Sequence, residues 1–359
     1  MIGEKSSRKN CSFYRNKRVF ITGHTGFKGA WLTAVLHELG AQTTGYALAP
    51  EAGCLFEKIG GERLLNHIIG DVRDAGHMKQ ALAEVQPELV FHLAAQVPAR
   101  ECFENPHDTY ETNIMGTVNL LEAIRCCLSV KSVVIVTTDK VYLNKGDGAA
   151  YVETDPLGGD DPYSSSKTCV EYIAEAYKRS YLQAGEHVVG ISTARASNVL
   201  GGGDHVPSRL IPAILNAISA GRSVELRNPY QTRPWQSVLD ALNGYLSLGR
   251  LMMQDPYHYS GHWNIGPTLD GIREVVWVME KIKEHFSDAD YVPGAALEVK
   301  ESQTLGLDST RAMRDTDWSP QMNCDEAIYD VVNFFKQQTA GVPEAAICKH
   351  QIQKFFEIT

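Results

Sequence analysis

The sequence has no C-x-x-C pair among its eight cysteines, which stand at positions 11, 54, 102, 126, 127, 169, 324 and 348. That scatter encodes neither a zinc site nor a redox dithiol, so no metal is expected and the thiols are read as reduced. No apolar run approaches the ~20 residues a membrane span requires. The first sixteen residues, MIGEKSSRKNCSFYRN, contain no hydrophobic segment of the kind that directs secretion. A cytoplasmic chain without a membrane partner is expected. Positive charge is also scarce: a formal net charge of −9 and a pI near 5.8 argue against non-specific attraction to nucleic acid or to an anionic membrane. Repeats and low-complexity tracts are missing too.

What is present is an alternation. The chain has 359 residues, 43% of them apolar, which at ~150 residues per domain suggests two lobes. From Arg18 to about Ala196, short apolar runs (Val19–Thr22, Gln42–Ala47, Leu64–Ile69, Leu89–His92, Val133–Thr137, Val188–Thr193) alternate with helical patterns at Lys28–Leu39, Ala75–Val85, Asp108–Cys127 and Ser165–Ala184. This predicts an α/β fold, a Rossmann-like doubly wound parallel sheet. After Asn198 the rhythm breaks into glycine-rich turns and isolated elements. The expected division is residues 17–196, with a returning segment near 238–260, as a dinucleotide-binding domain. Residues 197–237 and 261–340 would then form a smaller, discontinuous substrate lobe, and 1–16 and 341–359 peripheral tails.

Strand one runs directly into Thr22-Gly-His-Thr-Gly-Phe-Lys-Gly29 and then into a helix. Glycines at 23, 26 and 29 permit a tight turn, backbone approach to a pyrophosphate and close helix-to-strand packing, while the helix start offers free N–H donors. A bound dinucleotide is expected. An acidic residue to hold the adenosine ribose should fall near Tyr46–Leu48, and none does. With no arginine cluster there for a 2′-phosphate either, NAD is favoured over NADP. Asp71 in Gly70-Asp-Val-Arg-Asp74 is the better candidate for the cofactor's adenine, and Asp74 reads as a helix cap. Between phosphate and solvent, the local sequence does not decide which His24 faces.

Pro162-Tyr-Ser-Ser-Ser-Lys167 opens a helix, and i,i+4 spacing puts Tyr163 and Lys167 on one face. A tyrosine acts as a base near neutral pH only if its pKa of ~10 is lowered, and an ammonium group together with a nicotinamide cation would lower it. These segments, with His92-Leu-Ala-Ala-Gln96, Asn113-Ile-Met-Gly-Thr-Val-Asn-Leu-Leu-Glu-Ala123 and Arg195-Ala-Ser-Asn198, resemble the extended short-chain dehydrogenase/reductase family over roughly residues 17–340. Thr137-Thr-Asp-Lys-Val-Tyr142, Arg195–Asp204 and Arg233-Pro-Trp-Gln236 resemble its branch that dehydrates CDP-glucose.

The resemblance implies NAD as cofactor, held by Gly23, His24, Gly26, Phe27, Lys28, Gly29, Asp71, Val72, Ala94, Ala95, Gln96, Asn113, Tyr163 and Lys167. It also implies a lyase reaction: oxidation at C4 of a nucleotide-bound glucose, loss of water across C5 and C6, and hydride return to C6, an early step towards deoxysugars of lipopolysaccharide. Thr138, Asp139, Lys140, Tyr163 and Lys167 would carry the catalysis, with Asp139 as acid. Lys140, where related dehydratases have a glutamate, is either the C5 base or a cation steadying the enolate beside a water base; the first reading is adopted. Successive strand residues face opposite ways, so Asp139 and Lys140 reach one ligand only if the strand has ended at Thr137 or Thr138. A loop is predicted there.

A nucleoside diphosphate needs cationic donors, and Arg233 is the leading pyrophosphate candidate because a guanidinium binds phosphate oxygens bidentately. Gln96, Asn198 and, more weakly, Arg100 complete the expected substrate contacts. Trp235 and Trp263 read as core and His92 as a satisfied strand-end histidine. Two other functions compete. A nucleotide-sugar 4-epimerase would use the same tyrosine, lysine and dinucleotide but needs no acid–base pair at C5 and C6. A dinucleotide-sensing protein without turnover would have no use for both Tyr163 and Lys167. A homodimer or homotetramer is expected from the way the family pairs its helices.

Overall fold

The apolar runs of the first half become strands of a single parallel sheet. In the computed structural model, which describes all residues except 1–4, 98, 145, 147, 227, 287–288, 295–304 and 359, the strands are β1 (Arg18–Thr22), β2 (Gln42–Ala47), β3 (Asn66–Ile69), β4 (Leu89–His92) and β5 (Ser132–Thr138). Gly190–Ala196 and Gly261–Ile265 extend the sheet beyond β5, and β4, β1, β2 and β3 follow on its other side. All six pairings are parallel. Every residue of β5 is buried, as a strand covered on both faces requires. The chain order reverses between β1 and β4, and ligands of such sheets bind at the strand ends beside that point.

Three assignments differ from the sequence-based expectation. Gly261–Ile265, expected in the smaller lobe, is an edge strand of the large sheet, delivered there by the buried crossover helix Val238–Gln254. Neither tail is peripheral. Ser6–Tyr14 is a helix whose Tyr14 hydroxyl donates to the Leu246 carbonyl at 2.7 Å. Glu344–Phe356 is a helix that buries Ile347, Cys348, Ile352, Phe355 and Phe356 in the main core. Those apolar positions recur every three or four residues, a stripe that the polar average of the segment conceals. The pattern at Asp108–Cys127 is not one helix either. Pro106–Tyr110 and Gly116–Arg125 are joined by a wider π-type turn over Glu111–Met115, which buries Asn113.

The smaller lobe holds the helix Leu210–Ser219, the paired strands Val224–Leu226 and Tyr291–Pro293, and a three-stranded sheet of Asn198–Leu200, Thr232–Ser237 and Ile272–Glu274. Trp235 and Trp263 are both core, with their indole N–H groups donating to backbone carbonyls of Arg273 and Tyr259. No two of the eight cysteines are bridged. Among the described residues no helix is long and apolar enough to cross a membrane.

Candidate active site

The glycine loop is built for a close approach. Gly23 has φ +75°, and a Cβ there would lie 2.6 Å from the Ala94 amide nitrogen; at Gly29 it would lie 2.1 Å from the Gly23 carbonyl oxygen. Gly26 is different: its Cβ direction meets nothing nearer than 3.5 Å, so the loop's outer side is open where the helix Phe27–Glu38 begins, and no side chain caps that helix. Uncapped N–H groups beside a side-chain-free surface fit a pyrophosphate.

The His24 side chain faces neither phosphate nor solvent. It is fully buried, with Nε2 2.6 Å from Nδ1 of His67 and its ring edge-on to Phe56. Gly45 on β2 makes the room, since a Cβ there would come within 2.4 Å of the imidazole. Burial pushes its pKa down to about 3, so the ring is neutral and only the backbone of His24 can serve a phosphate. Asp71 is committed as well: its carboxylate takes the Arg73 guanidinium at 2.6 Å, and that contact holds it below the usual carboxylate range. Asp74 caps the helix Ala75–Val85 through the His77 amide. No acid stands at the end of β2, where Leu48 is 60% exposed.

Asn113 fastens the segment after β4 to the tyrosine helix. Its Oδ1 accepts from the Gln96 amide at 2.8 Å, and its Nδ2 donates to the Gln96 carbonyl and to Ser166 Oγ. Val72, Ala94 and Ala95 lie on the segments after β3 and β4. The neighbouring His92 is buried between the hydroxyls of Thr22 and Thr117, and burial pushes its pKa down to about 3.

β5 ends at Thr138, and Asp139–Val141 forms a single tight 3₁₀ turn. Asp139 is 2% exposed. Its Oδ1 accepts from the Thr138 hydroxyl at 3.0 Å, and Oδ2 has no partner among the described residues. Burial raises its pKa, opposed by Lys140, Thr138 and Arg233. Tyr163, in the first turn of the helix Pro162–Tyr177, lies close enough for Thr138 to hold its phenol down and for the charge of Asp139 to push it up. Phenol and carboxyl therefore lie near one threonine, whose hydroxyl also takes the Lys140 backbone amide at 3.4 Å.

Taken together, the chain's own groups do not lower the Tyr163 phenol. Burial pushes the phenol up, and Lys167 is turned away to donate to the Val136 carbonyl at 3.1 Å. Lys167 is itself pushed down to about 8 by burial, and Lys28 to about 7 by burial and then by the charges of Lys167 and Arg209. Arg233 is buried, with its guanidinium donating to the Thr232 carbonyl and to Gln231 Oε1, each at 2.8 Å, while its charge bears on Asp139. Asn198 pairs with Trp235 in the smaller sheet. Arg100 lies on the helix Ala99–Glu104, and its side chain is outside the described residues.

Two groups at the site escaped the sequence reading. Arg209, held by Asp204 at 3.0 Å, bears on both Tyr163 and Lys28. Tyr245, from the buried crossover helix, has its hydroxyl 3.5 Å from Lys28 Nζ. Neither sits at a local spacing that ties it to the Tyr-Lys pair; only the folding of distant segments brings them in.

The family described as GDP-mannose 4,6 dehydratase matches residues 20–331. A CDP-glucose 4,6-dehydratase of Salmonella typhimurium is 38% identical over 353 residues, covering 97% of this chain and 98% of that protein. Among solved structures, an epimerase of Methanothermobacter thermautotrophicus superposes with a TM-score of 0.79 at 21% identity, covering 94% of this chain and 97% of that one. A dTDP-glucose 4,6-dehydratase of Bacillus anthracis, solved in complex with NAD, superposes with a TM-score of 0.74 at 22% identity, covering 90% and 98%. These last two likenesses speak for the fold. By the family match and the Salmonella relative, this chain belongs to the GDP-mannose 4,6 dehydratase family of extended short-chain dehydrogenase/reductases.

Proposed function

We propose that the protein is an NAD-dependent nucleotide-sugar 4,6-dehydratase, a hydro-lyase that converts CDP-glucose to CDP-4-keto-6-deoxyglucose and water. The observation that carries this reading is the buried Asp139 carboxyl, which takes the Thr138 hydroxyl, lies close enough to the Tyr163 phenol to bear on its charge, and has one oxygen without a partner among the described residues. An epimerase has no use for such an acid. NAD, held at the glycine loop, supplies a positive ring, a hydride acceptor for C4 and the same hydride for C6.

The chain's own residues move the protons. Tyr163 Oη removes the proton of the 4-hydroxyl, with Thr138 as hydrogen-bond partner. Lys167 adds positive charge from the next turn of the helix. The C4 ketone acidifies the C5 hydrogen, which the neutral Lys140 Nζ removes, while Asp139 protonates the departing C6 hydroxyl to release water; Lys140, its proton exchanged with solvent, then protonates C5 as C6 is reduced. Burial suits Asp139 to this role, because a carboxyl whose pKa is raised keeps the proton it must donate. Arg233 and Arg209 supply cations for the diphosphate, with Gln96 and Asn198 lining the sugar side. Cytidine as the base rests on the Salmonella relative. A 4-keto-6-deoxy sugar nucleotide is an entry to the deoxysugars of bacterial surface polysaccharide. Exposed Met115, Tyr172 and Tyr181 on adjacent helices support assembly of copies into a cytoplasmic homo-oligomer.

The test is incubation with NAD⁺ and a panel of nucleotide-glucoses in deuterated water. CDP-glucose should give a product with deuterium at C5 and the absorbance of a 4-keto-6-deoxy sugar in base. A C4-inverted product without deuterium would make the protein an epimerase. Tyr163→Phe should abolish the transient of reduced nicotinamide while leaving nucleotide binding intact, and unchanged turnover would refute the hydride role.

A further inference from the structure

Glu171 is a carboxylate with no part in the chemistry above, yet its side chain is fully buried. It lies one helical turn beyond Lys167, and side chains of three strands converge on it. Thr137 Oγ1 donates to Oε1 at 2.5 Å. Oε2 accepts from Thr193 Oγ1 at 2.7 Å and from Arg195 Nη2 at 2.9 Å, and lies 2.7 Å from His262 Nδ1. Arg195 in turn donates through Nη1 to the Tyr142 hydroxyl at 2.9 Å and to the Glu153 carbonyl at 3.1 Å. The Tyr142 hydroxyl donates to Asn264 Oδ1 at 2.6 Å, and Asn264 Nδ2 holds the carbonyls of Tyr151 and Asp308, each at 2.9 Å.

The position of this chain of contacts in the sequence matters more than its strength. Thr137 and Tyr142 flank the segment Thr138–Val141, and both are tied to the Glu171–Arg195 pair. Thr168, from the same helix as Glu171, adds a bond to the Val141 carbonyl at 3.2 Å. A buried ion pair is a poor way to gain stability, because desolvating both charges offsets most of their attraction. What it does supply is fixed geometry. An acid–base pair must be held to within about 0.5 Å of its working position, and an error of about 1 Å can cost ~10²-fold in rate.

We infer that Glu171, Arg195 and Tyr142 are positioning residues for the dehydration step: the buried pair clamps both ends of the turn that carries Asp139 and Lys140. The inference rests on the dehydratase reading. It weighs on the two halves of the reaction unequally, because Tyr163 and Lys167 ride on the helix itself, whereas both acid and base ride on the clamped turn, of which only Thr138 bears on Tyr163.

Two mild variants test it, one at each end of the turn: Tyr142→Phe and Thr137→Val, each removing one hydroxyl. Enzyme loaded with NAD⁺ is mixed rapidly with CDP-glucose, following reduced nicotinamide for C4 oxidation, and deuterium at C5 with keto-sugar formation for elimination. Oxidation should stay within about 3-fold of the unaltered enzyme, KM should hold, and elimination should fall roughly 10–100-fold, so that reduced nicotinamide accumulates. Equal loss in both steps, loss in neither, or a lowered melting temperature without a step-specific loss would overturn the inference, leaving the network to the fold alone. If the unaltered enzyme gave neither reduced nicotinamide nor keto-sugar, the dehydratase reading would fail instead.

Discussion

Replacing Asp139 with asparagine should move activity and stability in opposite directions. The carboxyl is buried, Oδ1 is satisfied by Thr138, and Oδ2 has no partner among the described residues. Holding a charged form in a buried site costs about 1–3 kcal/mol or more beyond a neutral group of the same shape, so the amide should relieve a penalty of that order. For a large domain each kcal/mol moves Tm by about 2–4 °C, so Asp139→Asn should melt a few degrees above the parent at pH 7. The sign follows from the direction of the pKa shift. Burial raises the folded-state pKa above the unfolded value, so the parent's stability is greatest below the unfolded pKa, ~3.9, and declines as pH rises through the folded value. The advantage of the variant should therefore grow as pH rises above the unfolded value and vanish in acid. Catalysis should move the other way. Losing a general acid costs ~10²–10⁴-fold, or about 3–5 kcal/mol on the barrier, and the loss should fall on elimination, with reduced nicotinamide building up after mixing. A 6-fluoro substrate, whose leaving group needs no proton, should recover most of the rate. If the variant melts below the parent at pH 7, Lys140 and Arg233 stabilise the carboxylate more than burial penalises it. If turnover of CDP-glucose stays within about 3-fold, the proton comes from elsewhere.

Two further outcomes are expected. Lys167 is pushed down to about 8, so kcat/KM should fall as pH rises through about 8 and the ammonium is lost; Lys167→Arg, which does not titrate there, should carry that limb to higher pH in a pH–rate profile. Leu48→Asp places a carboxylate at the exposed end of β2, where a ribose hydroxyl would be held, and should tighten NAD about tenfold in a binding titration, the worth of one hydrogen bond to a charged group at about 1.5 kcal/mol.

The parts of the fold legible in the sequence were those governed by local spacing. The all-buried β5, the glycine loop and the Tyr163–Lys167 pair each depend on residues within a few positions of one another. The turn after Thr138 was legible for a chemical reason, since two neighbouring side chains cannot serve one ligand from an extended strand. What was hidden depended on partners far along the chain. His24 turns inward because Gly45 on the next strand leaves space and His67 on the one after offers a nitrogen. The edge strand Gly261–Ile265 differs from a strand of the smaller lobe only in what it pairs with, the segment Gly190–Ala196. The C-terminal helix was readable in principle, since its apolar residues keep a helical period, but its average polarity outweighed the pattern.

The reach of Lys167 shows the same division at the level of chemistry. Spacing puts it on the face of Tyr163, and the helix does so, but spacing says nothing of the Val136 carbonyl that takes its ammonium at 3.1 Å. The chain's own groups consequently leave the phenol raised and the lysine lowered. Burial acts against the ionised form of each, yet it serves the two halves of the reaction unequally. In the proposed dehydration a raised pKa would keep a proton on Asp139 for the departing hydroxyl, which burial alone provides. In the proposed oxidation a raised pKa would oppose proton removal by Tyr163, and a positively charged cofactor ring would have to offset it. On that proposal the chain's own burial serves the elimination half, whereas the oxidation half would depend on a cofactor at the glycine loop.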